Sequence, residues 1–540
     1  MRPESSGGSA NSEDLRLLHL GPPGRSGYDR AMSDVPTNPP IELPAAELKH
    51  SVRRSAVAVA VAQLASQLIS LVGVAILLRL LLPADYGLVG MILPLVTFLR
   101  IFATLGLNVA TVQRAEIRPE ETSSLFWLNV LLGCATAGVA AILAPTLGAL
   151  YTQPEAATQL RDLAWALAGT SILAAIGAQH QALLERQIRL GLLGAIRITA
   201  QLLAVVAAVA VAFAGWGVWA LVVQQYVEFA LLAALLWWAE PWRPSLPGRG
   251  ARIGGHLRLG GYFAAASVVF YVADNLDRVL IGRLVGPEAV GLYSQAYNIM
   301  IKPVYVVITP LVALVLTSLS RAANQPETRE QLVVAYYRLL AVLLMPAAVG
   351  LVVTGNDVMQ LLGGAAWKDA GPLLSVLAIG MFGQALVIVG VPILAAADRG
   401  GRLLAVAGAV AVVLCASYLI GWYYGEQRGE PVLGVAWGYA VAVLVVIAVP
   451  YTWFCLRTAG YSLGDVLSAL LRPALAAVAM GVAVWLAGNW LPIASPLARL
   501  AVLMPLGAIL YAALAWKELV WLVTHAQQLL AARFAEAASP

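Results

Sequence analysis

The chain has 540 residues, of which 60% are hydrophobic and 12% are charged, and its formal net charge is +5. Because soluble proteins carry about 25% charged residues, this composition excludes a soluble multidomain protein. The basic residues lie in short segments between apolar runs and form no basic domain, which excludes a nucleic-acid-binding protein. The three cysteines also lie within apolar runs, without metal-ligand spacing, so they are interpreted as small buried hydrophobes, and no cofactor is expected.

The N-terminal segment, residues 1–48, is rich in Ser, Gly, Pro and acidic residues and has no apolar periodicity. Such a segment cannot bury enough apolar surface to fold, so it is predicted to be a disordered cytoplasmic tail. Met32 is an alternative start. The first apolar run lies too far from the N-terminus, and is too long, for a signal peptide.

Apolar runs then follow almost back to back from Val57 to Val523. A helix needs roughly 20 apolar residues to cross about 30 Å of hydrocarbon, so these runs predict an all-α integral membrane protein with about 14 transmembrane helices. The helices are predicted at residues 57–78, 87–112, 125–150, 162–183, 193–213, 216–239, 259–281, 293–318, 333–354, 371–394, 402–424, 432–455, 473–491 and 498–523.

The connecting segments carry their basic residues asymmetrically. With the N-terminus inside, most Arg and Lys residues fall on the cytoplasmic side, in phase with the predicted helices. This positive-inside bias predicts a multi-pass protein of the bacterial inner membrane with both termini in the cytoplasm. The opposite side holds only Arg79, Arg161, Arg283, Lys368, Arg428 and Arg499.

Two stretches share the spacing Arg-x3-Pro-x3-Gly, one from Arg79 to Gly87 and the other from Arg283 to Gly291. Locally the pattern is typical of a tight loop, in which Pro ends a helix and Gly turns the chain. Both stretches join the first helix of a set to its second, which favours a parallel repeat of two pseudo-symmetric six-helix lobes. The predicted parts are the tail at 1–48, the lobes at 49–250 and 251–458, and two extra helices with a cytoplasmic C-terminal segment at 459–540.

Ionisable residues inside the predicted helices are candidates for function, since such a group in hydrocarbon costs about 3 kcal/mol. Arg100 and Lys302 occupy equivalent helices of the two lobes and are predicted to face a central cleft, where two cations would suit a lipid diphosphate. Pairing with an acidic residue, or reaching to the interface, is the alternative. Asp274 and Arg278 lie four residues apart beside Asp277, and form either a structural salt bridge or part of a substrate or ion site.

Two further ionisable residues each have two interpretations. Glu228 lies in the middle of the sixth predicted helix. It is either a site for H+ or Na+ coupling or a partner in an interhelical hydrogen bond. Arg197 lies near the cytoplasmic end of the fifth, where it contacts lipid headgroups or adds to a cationic cavity. One polar face of the first helix is predicted to meet protein or water, and it consists of Gln63, Ser66, Gln67 and Ser70.

Motifs of soluble-type catalysis are absent from the sequence. It contains no Gly-x4-Gly-Lys-Ser/Thr phosphate loop, no Gly-x-Ser-x-Gly and no His-Glu-x2-His. No loop exceeds about 20 residues, so the function must lie among the helices. The sequence therefore predicts a protein that is not an enzyme.

Four stretches carry, in their order and spacing, a resemblance to a known family: Arg79–Gly87, Thr104–Arg114, Asn275–Tyr293 and Gln360–Leu373. They resemble the polysaccharide transport family, the O-antigen, capsule and exopolysaccharide repeat-unit flippases, of the multidrug/oligosaccharidyl-lipid/polysaccharide exporter superfamily. The resemblance spans residues 50 to 460. The N-terminal tail has no counterpart in it.

The resemblance implies a V-shaped, two-lobed fold with a cationic central cavity, lined by Arg100, Lys302, Asp274, Asp277 and Arg278. The implied cargo is undecaprenyl-diphosphate-linked oligosaccharide, moved from the cytoplasmic to the periplasmic leaflet by alternating access, with polysaccharide polymerase and export machinery as candidate partners. The alternatives are a cation-coupled drug or small-molecule antiporter on the same scaffold, a membrane polymerase or ligase, and a lipid-binding scaffold.

Overall fold

In the computed structural model the described residues are 45–103, 111, 118–150, 154–246, 257–321, 326–396, 400–493 and 495–524. They form α-helices, a 3₁₀ turn at Ala365–Trp367 and a π-helical segment at Ala442–Ile447, and no β-strand occurs among them. In chain order the helices are α1 (Ala45–Leu80), α2 (Pro83–Ala103), α3 (Pro119–Leu150), α4 (Pro154–Ala168), α5 (Thr170–Arg186), α6 (Leu190–Phe213), α7 (Trp219–Ala239), α8 (Leu257–Leu284), α9 (Pro287–Arg321), α10 (Pro326–Gly363), α11 (Ala370–Ala396), α12 (Gly400–Glu426), α13 (Pro431–Val441), α14 (Ala448–Ala459), α15 (Leu463–Trp490) and α16 (Pro496–Leu514).

The all-α membrane fold predicted from the sequence is confirmed. Within the described ranges, 11 helical segments are long and apolar enough to cross a membrane. The predicted total of about 14 helices and the lobe boundaries stay predictions, and most of the predicted tail and of the C-terminal segment lies outside the described residues. Many helices begin with proline, whose missing N–H and fixed φ suit the first helical position: Pro83, Pro119, Pro154, Pro287, Pro326, Pro431 and Pro496.

The helices pack as two bundles and a C-terminal pair. Helices α1–α7 form the N-bundle and α8–α14 the C-bundle, and α2 and α9 make the main contact between them. A single hydrophobic core runs through this contact, with Ile92 of α2 and Val290 and Tyr293 of α9 fully buried. The packing of α2 against α9 therefore largely sets the position of the two bundles relative to each other.

The two Arg-x3-Pro-x3-Gly stretches lie against each other at the start of α2 and α9. A Cβ on Gly87 would overlap the carbonyl oxygen of Pro287, and a Cβ on Gly291 would overlap the carbonyl oxygen of Pro83. Only glycine allows backbones this close, and a reciprocal contact is what a two-fold relation produces. This Gly–Pro contact lies at the face of the molecule that carries Arg79, called the Arg79 face below.

The C-terminal pair, α15 and α16, is attached to α10 at both ends. Beyond α16, Glu518 is 3% exposed, and its carboxylate lies 2.5 Å from Arg338 and 3.9 Å from Arg472. Near the Arg79 face, Arg499 lies 3.7 Å from Asp357. Removal of one partner would leave the other charge unpaired in apolar surroundings. These ion pairs therefore fix the position of α15 and α16.

We expect Glu518→Gln to destabilise the protein by about 2–3 kcal/mol, because Arg338 would keep its charge and lose its carboxylate. Thermal unfolding of the purified protein in detergent micelles measures this change as a lower Tm. Lys517→Gln, at the exposed neighbouring position, is the matched control and should leave the Tm unchanged. A Glu518→Gln protein that melts with the wild type would contradict the role given to this ion pair.

Candidate functional site

A polar cavity of about 480 Å³ lies between the two bundles. It is lined by α2 and α7 of the N-bundle and by α8 and α9 of the C-bundle. Its near end, below the Arg79 face, is at Tyr86, which is 9% exposed, and its far end is at Tyr305, which is 48% exposed. The cavity is therefore closed toward the Arg79 face and more open toward the opposite face.

Side chains that cross between the bundles close the Arg79 face. Arg79 donates to the carbonyl oxygen of Leu362, at 3.0 Å, and to the preceding carbonyl, both at the end of α10. These carbonyls have no partners within the helix, so the guanidinium satisfies them. Trp367 is fully buried, donates to the carbonyl oxygen of Leu78 at 2.8 Å, and packs edge-on against Tyr86 with 5.5 Å between the ring centroids. These contacts and the Gly–Pro contact together are called the seal.

One face of α8 brings charged residues that were predicted as functional candidates into the cavity. Asp274, Asn275 and Arg278 line it together. The Arg278 guanidinium donates to Asn275 Oδ1 and lies 5.2 Å from the ring centroid of Tyr297, and its charge also interacts with that of Asp274. An amide and an aromatic ring thus hold the cation in place at the cavity wall.

Side-chain amides and phenols supply most of the remaining polar lining. Amides both donate and accept hydrogen bonds, and phenols add an apolar ring, so this lining suits a hydroxyl-rich molecule. Sequence reasoning missed this set as a whole, although amides inside apolar runs were the available signal. The residues are Gln224, Gln225, Gln295, Asn298, Tyr271, Tyr297 and Tyr305.

Asp277 lies behind this lining, inside the C-bundle, and is 0% exposed. Its Oδ1 accepts a hydrogen bond of 2.7 Å from the backbone N–H of Arg278. The hydroxyl of Tyr293 interacts with this carboxylate, and Tyr439, which interacts with Tyr297, lies close to both. An ionised carboxylate buried this deeply is costly, so the cluster is suited to take up a proton or a cation.

Lys302, Arg100 and Glu228 lie beside the cavity, on helices that line it. The Lys302 ammonium donates to the hydroxyl of Ser70 at 2.6 Å and so joins α9 to α1 across the bundles. The Arg100 guanidinium lies 4.9 Å from the ring centroid of Phe229 and interacts electrostatically with Glu228. Neither cation is among the residues that line the cavity, but Arg100 interacts electrostatically with Tyr271 of the lining, and Glu228 lies close to Arg100.

Arg197 lies apart from the cavity. Its guanidinium is 3.6 Å from the carboxylate of Glu185, and its side chain is 52% exposed. The polar face of α1, in contrast, meets protein, because Ser66 donates to Gln201 at 2.5 Å and Ser70 accepts the lysine bond described above. The structure thus gathers Asp274 and Arg278 at the cavity, with Asp277 behind them, and leaves Arg197 on the surface.

Comparisons with known proteins indicate which class uses this architecture. A family model described as polysaccharide biosynthesis protein matches residues 76–372, more than half of the chain. The lipopolysaccharide biosynthesis protein WzxC of Escherichia coli (strain K12) is 27% identical over 317 residues, which are 58% of this chain and 63%, less than two thirds, of WzxC. The succinoglycan biosynthesis transport protein ExoT of Rhizobium meliloti (strain 1021) is 26% identical over 421 residues, which are 76% of this chain and 82% of ExoT.

Two solved structures share the fold. The lipid II flippase MurJ, in an inward closed conformation, matches with a TM-score of 0.68 and 12% identity, over 85% of this chain and 99% of that chain. An inward-facing multidrug resistance MATE family transporter of the MOP superfamily matches with a TM-score of 0.61 and 13% identity, over 74% of this chain and 98% of that chain. At these identities the likeness concerns the fold alone.

The family resemblance stated from four short stretches is confirmed by these matches. The relatives are named for polysaccharide biosynthesis and transport and not for an enzymatic reaction, and together with the 11 apolar segments among the described residues they support a multi-pass protein of the bacterial inner membrane. Matched over more than half of its length, the chain belongs to the polysaccharide biosynthesis protein family.

Proposed function

We propose that the protein moves undecaprenyl-diphosphate-linked oligosaccharide from the cytoplasmic to the periplasmic leaflet for surface polysaccharide synthesis. The polar cavity between the bundles is the observation that carries this proposal. Its amides and phenols match the hydroxyls of a saccharide, and Arg278 in the lining matches a diphosphate. Arg100 and Lys302 lie on lining helices and would add positive charge. The relatives named for lipopolysaccharide and succinoglycan synthesis support cargo of this class. Polysaccharide polymerase and export machinery would then act on the product.

Alternating access, with the Arg79 face toward the periplasm, is the proposed mode of transport. The positive-inside distribution supports this orientation and cytoplasmic termini. The seal closes one face while the far end of the cavity at Tyr305 is exposed, which supports a state that takes up cargo from the cytoplasmic side. Release on the other side would require the seal to open as one bundle rocks against the other.

A cation-coupled drug or small-molecule antiporter on the same scaffold is the second candidate. The fold likeness to a MATE transporter and the position of Asp274 in the cavity lining support it. An antiporter for cationic drugs needs acidic residues to dominate the cavity. Arg278 in the lining, with Arg100 and Lys302 on helices that line the cavity, favours an anionic cargo instead.

We expect Lys302→Gln to slow translocation by about tenfold to hundredfold, because a diphosphate would lose one charge-assisted hydrogen bond. The measurement is a leaflet-resolved assay of lipid-linked oligosaccharide in cells that depend on the variant, where complete repeat units should accumulate on the cytoplasmic leaflet. Lys302→Arg should retain most transport, since it keeps the charge.

Lys368→Gln is the matched control for this assay, since Lys368 is exposed and lies away from the cavity. It should behave as the wild type. Normal leaflet distribution after depletion of the whole protein would overturn the proposed cargo. Impaired drug efflux in the same cells would favour the antiporter.

Asp277 is the proposed coupling group, because its carboxylate is fully buried directly behind the lining residues Asp274 and Arg278. We expect Asp277→Asn to remove the dependence of transport on a proton or sodium gradient and to lower its rate about tenfold or more. Transport into proteoliposomes with imposed gradients measures this, with Asp369→Asn, at an exposed position, as the control. A variant that still responds to the gradient would contradict the assignment.

Weakening the seal should open the cavity to the periplasm. Ser294 lines the cavity and is 5% exposed, so Ser294→Cys should react slowly with a membrane-impermeant thiol reagent added to spheroplasts. Adding Trp367→Ala removes a hydrogen bond and a buried aromatic contact, and we expect labelling about tenfold or more faster. Trp485→Ala, at a tryptophan that is 56% exposed on α15, should have no effect. Equal labelling in both backgrounds would contradict the role of the seal.

A further inference from the structure

A second cavity, of about 610 Å³, lies on the outside of the C-bundle between α12 and α13. Its walls are mainly apolar, with Ile420 and Trp437 partly exposed along them. Lipid-facing surfaces of helices are ordinarily convex, whereas this one is a groove of definite volume. It is separate from the polar cavity, and the proposed transport does not use it.

The floor of this groove is backbone. A Cβ on Gly421 would overlap the carbonyl oxygen of Gly434, a Cβ on Gly434 would overlap that of Gly421, and a Cβ on Gly438 would overlap that of Ser417. Small residues let two membrane helices approach this closely, and the larger side chains on both sides then form the walls. The groove is thus built by the packing of the two helices and does not depend on flexible side chains.

The length of the groove matches one leaflet of a bilayer. It runs along α12 from Val413 to Gly425, which is about 18 Å at a rise of about 1.5 Å per residue, and continues into the turn that carries Arg428. Half of a bilayer, from headgroups to midplane, measures about 20–22 Å. The deep end lies at Ala442 and Val446, in the π-helical segment, and such segments are frequent at functional sites.

The mouth of the groove carries one charge of each sign. Arg428 and Glu430 both line it and are exposed, on the same side of the membrane as Arg79. In the part of the chain that the structure describes, neither forms an ion pair. A phosphate suits the guanidinium and an ammonium suits the carboxylate, so the pair is complementary to a zwitterionic phospholipid headgroup.

We propose that this groove is a binding site for phosphatidylethanolamine from the leaflet at the Arg79 face. One acyl chain lies on the glycine floor, the phosphate contacts Arg428, and the ammonium contacts Glu430. The same two helices present Tyr418 and Tyr439, each 1% exposed, to the polar cluster around Asp277. A lipid in the groove therefore supports the helix pair that encloses this cluster.

Native mass spectrometry of the purified, delipidated full-length protein tests the site by titration with phosphatidylethanolamine, phosphatidylglycerol and diacylglycerol. We expect phosphatidylethanolamine to bind about tenfold more tightly than the other two lipids, and Arg428→Gln to remove about tenfold of this affinity. Ala416→Phe should fill the groove and lower binding by a similar factor, since Ala416 lines it and is exposed. Val412→Phe, on the same helix at a position that is 69% exposed and outside the groove, should bind as the wild type does.

An unchanged Tm for Ala416→Phe shows that the variant has folded. Glu430→Gln removes the carboxylate proposed to contact the ammonium without filling the groove, and it is a second, milder test of phosphatidylethanolamine binding. Equal binding to the wild type and to Ala416→Phe would overturn the site. Phosphatidylglycerol bound as tightly as phosphatidylethanolamine would overturn the headgroup assignment. Displacement of the phospholipid by a polyprenyl phosphate would assign the groove to a different lipid and also overturn the proposal.

Discussion

The contact between the starts of α2 and α9 determines how the rest of the molecule is arranged. Each helix places a glycine against the proline carbonyl of the other, Gly87 against Pro287 and Gly291 against Pro83, so the two backbones touch without side chains between them. This close approach brings Arg79 and Trp367 within hydrogen-bonding distance of the opposite bundle. The bundles are then held together at one face, and the cavity between them is exposed at its other end.

The forces in the seal are of a size that allows it to open. The hydrogen bond of Trp367 is worth about 0.5–1.5 kcal/mol and that of the charged Arg79 guanidinium about 1.5–3 kcal/mol. Conformational states within a few kcal/mol of one another interconvert readily. Lys302 and Ser70 make a further link between the bundles, deeper in the molecule. A diphosphate that attracted the lysine ammonium would compete with this link. Cargo binding and the release of one bundle from the other would then be coupled by one side chain.

Local sequence patterns were enough to predict the all-α membrane fold and the positions of Asp274 and Arg278 on one helix face. The equal spacing of Pro83 and Gly87 with Pro287 and Gly291 predicted two related lobes, although not that these residues touch. Contacts between segments that are distant in the sequence could not be predicted from these local patterns. Arg79 bonds to Leu362 and Arg338 pairs with Glu518 across long separations in sequence, and helical periodicity carries no information about such partners. For Arg197 the sequence left lipid-headgroup contact and a cationic cavity open, and its side chain lies on the surface beside Glu185.

Photo-crosslinking within the cavity tests most directly whether lipid-linked oligosaccharide passes between the bundles. A photoreactive amino acid in place of Gln225, which lines the cavity, should capture the sugar-bearing lipid in living cells. The same group in place of Leu475, which is 61% exposed on α15, should not. An adduct that contains radiolabelled sugar at position 225 alone is the result that this account predicts. No adduct at 225, or equal adducts at both positions, would contradict it.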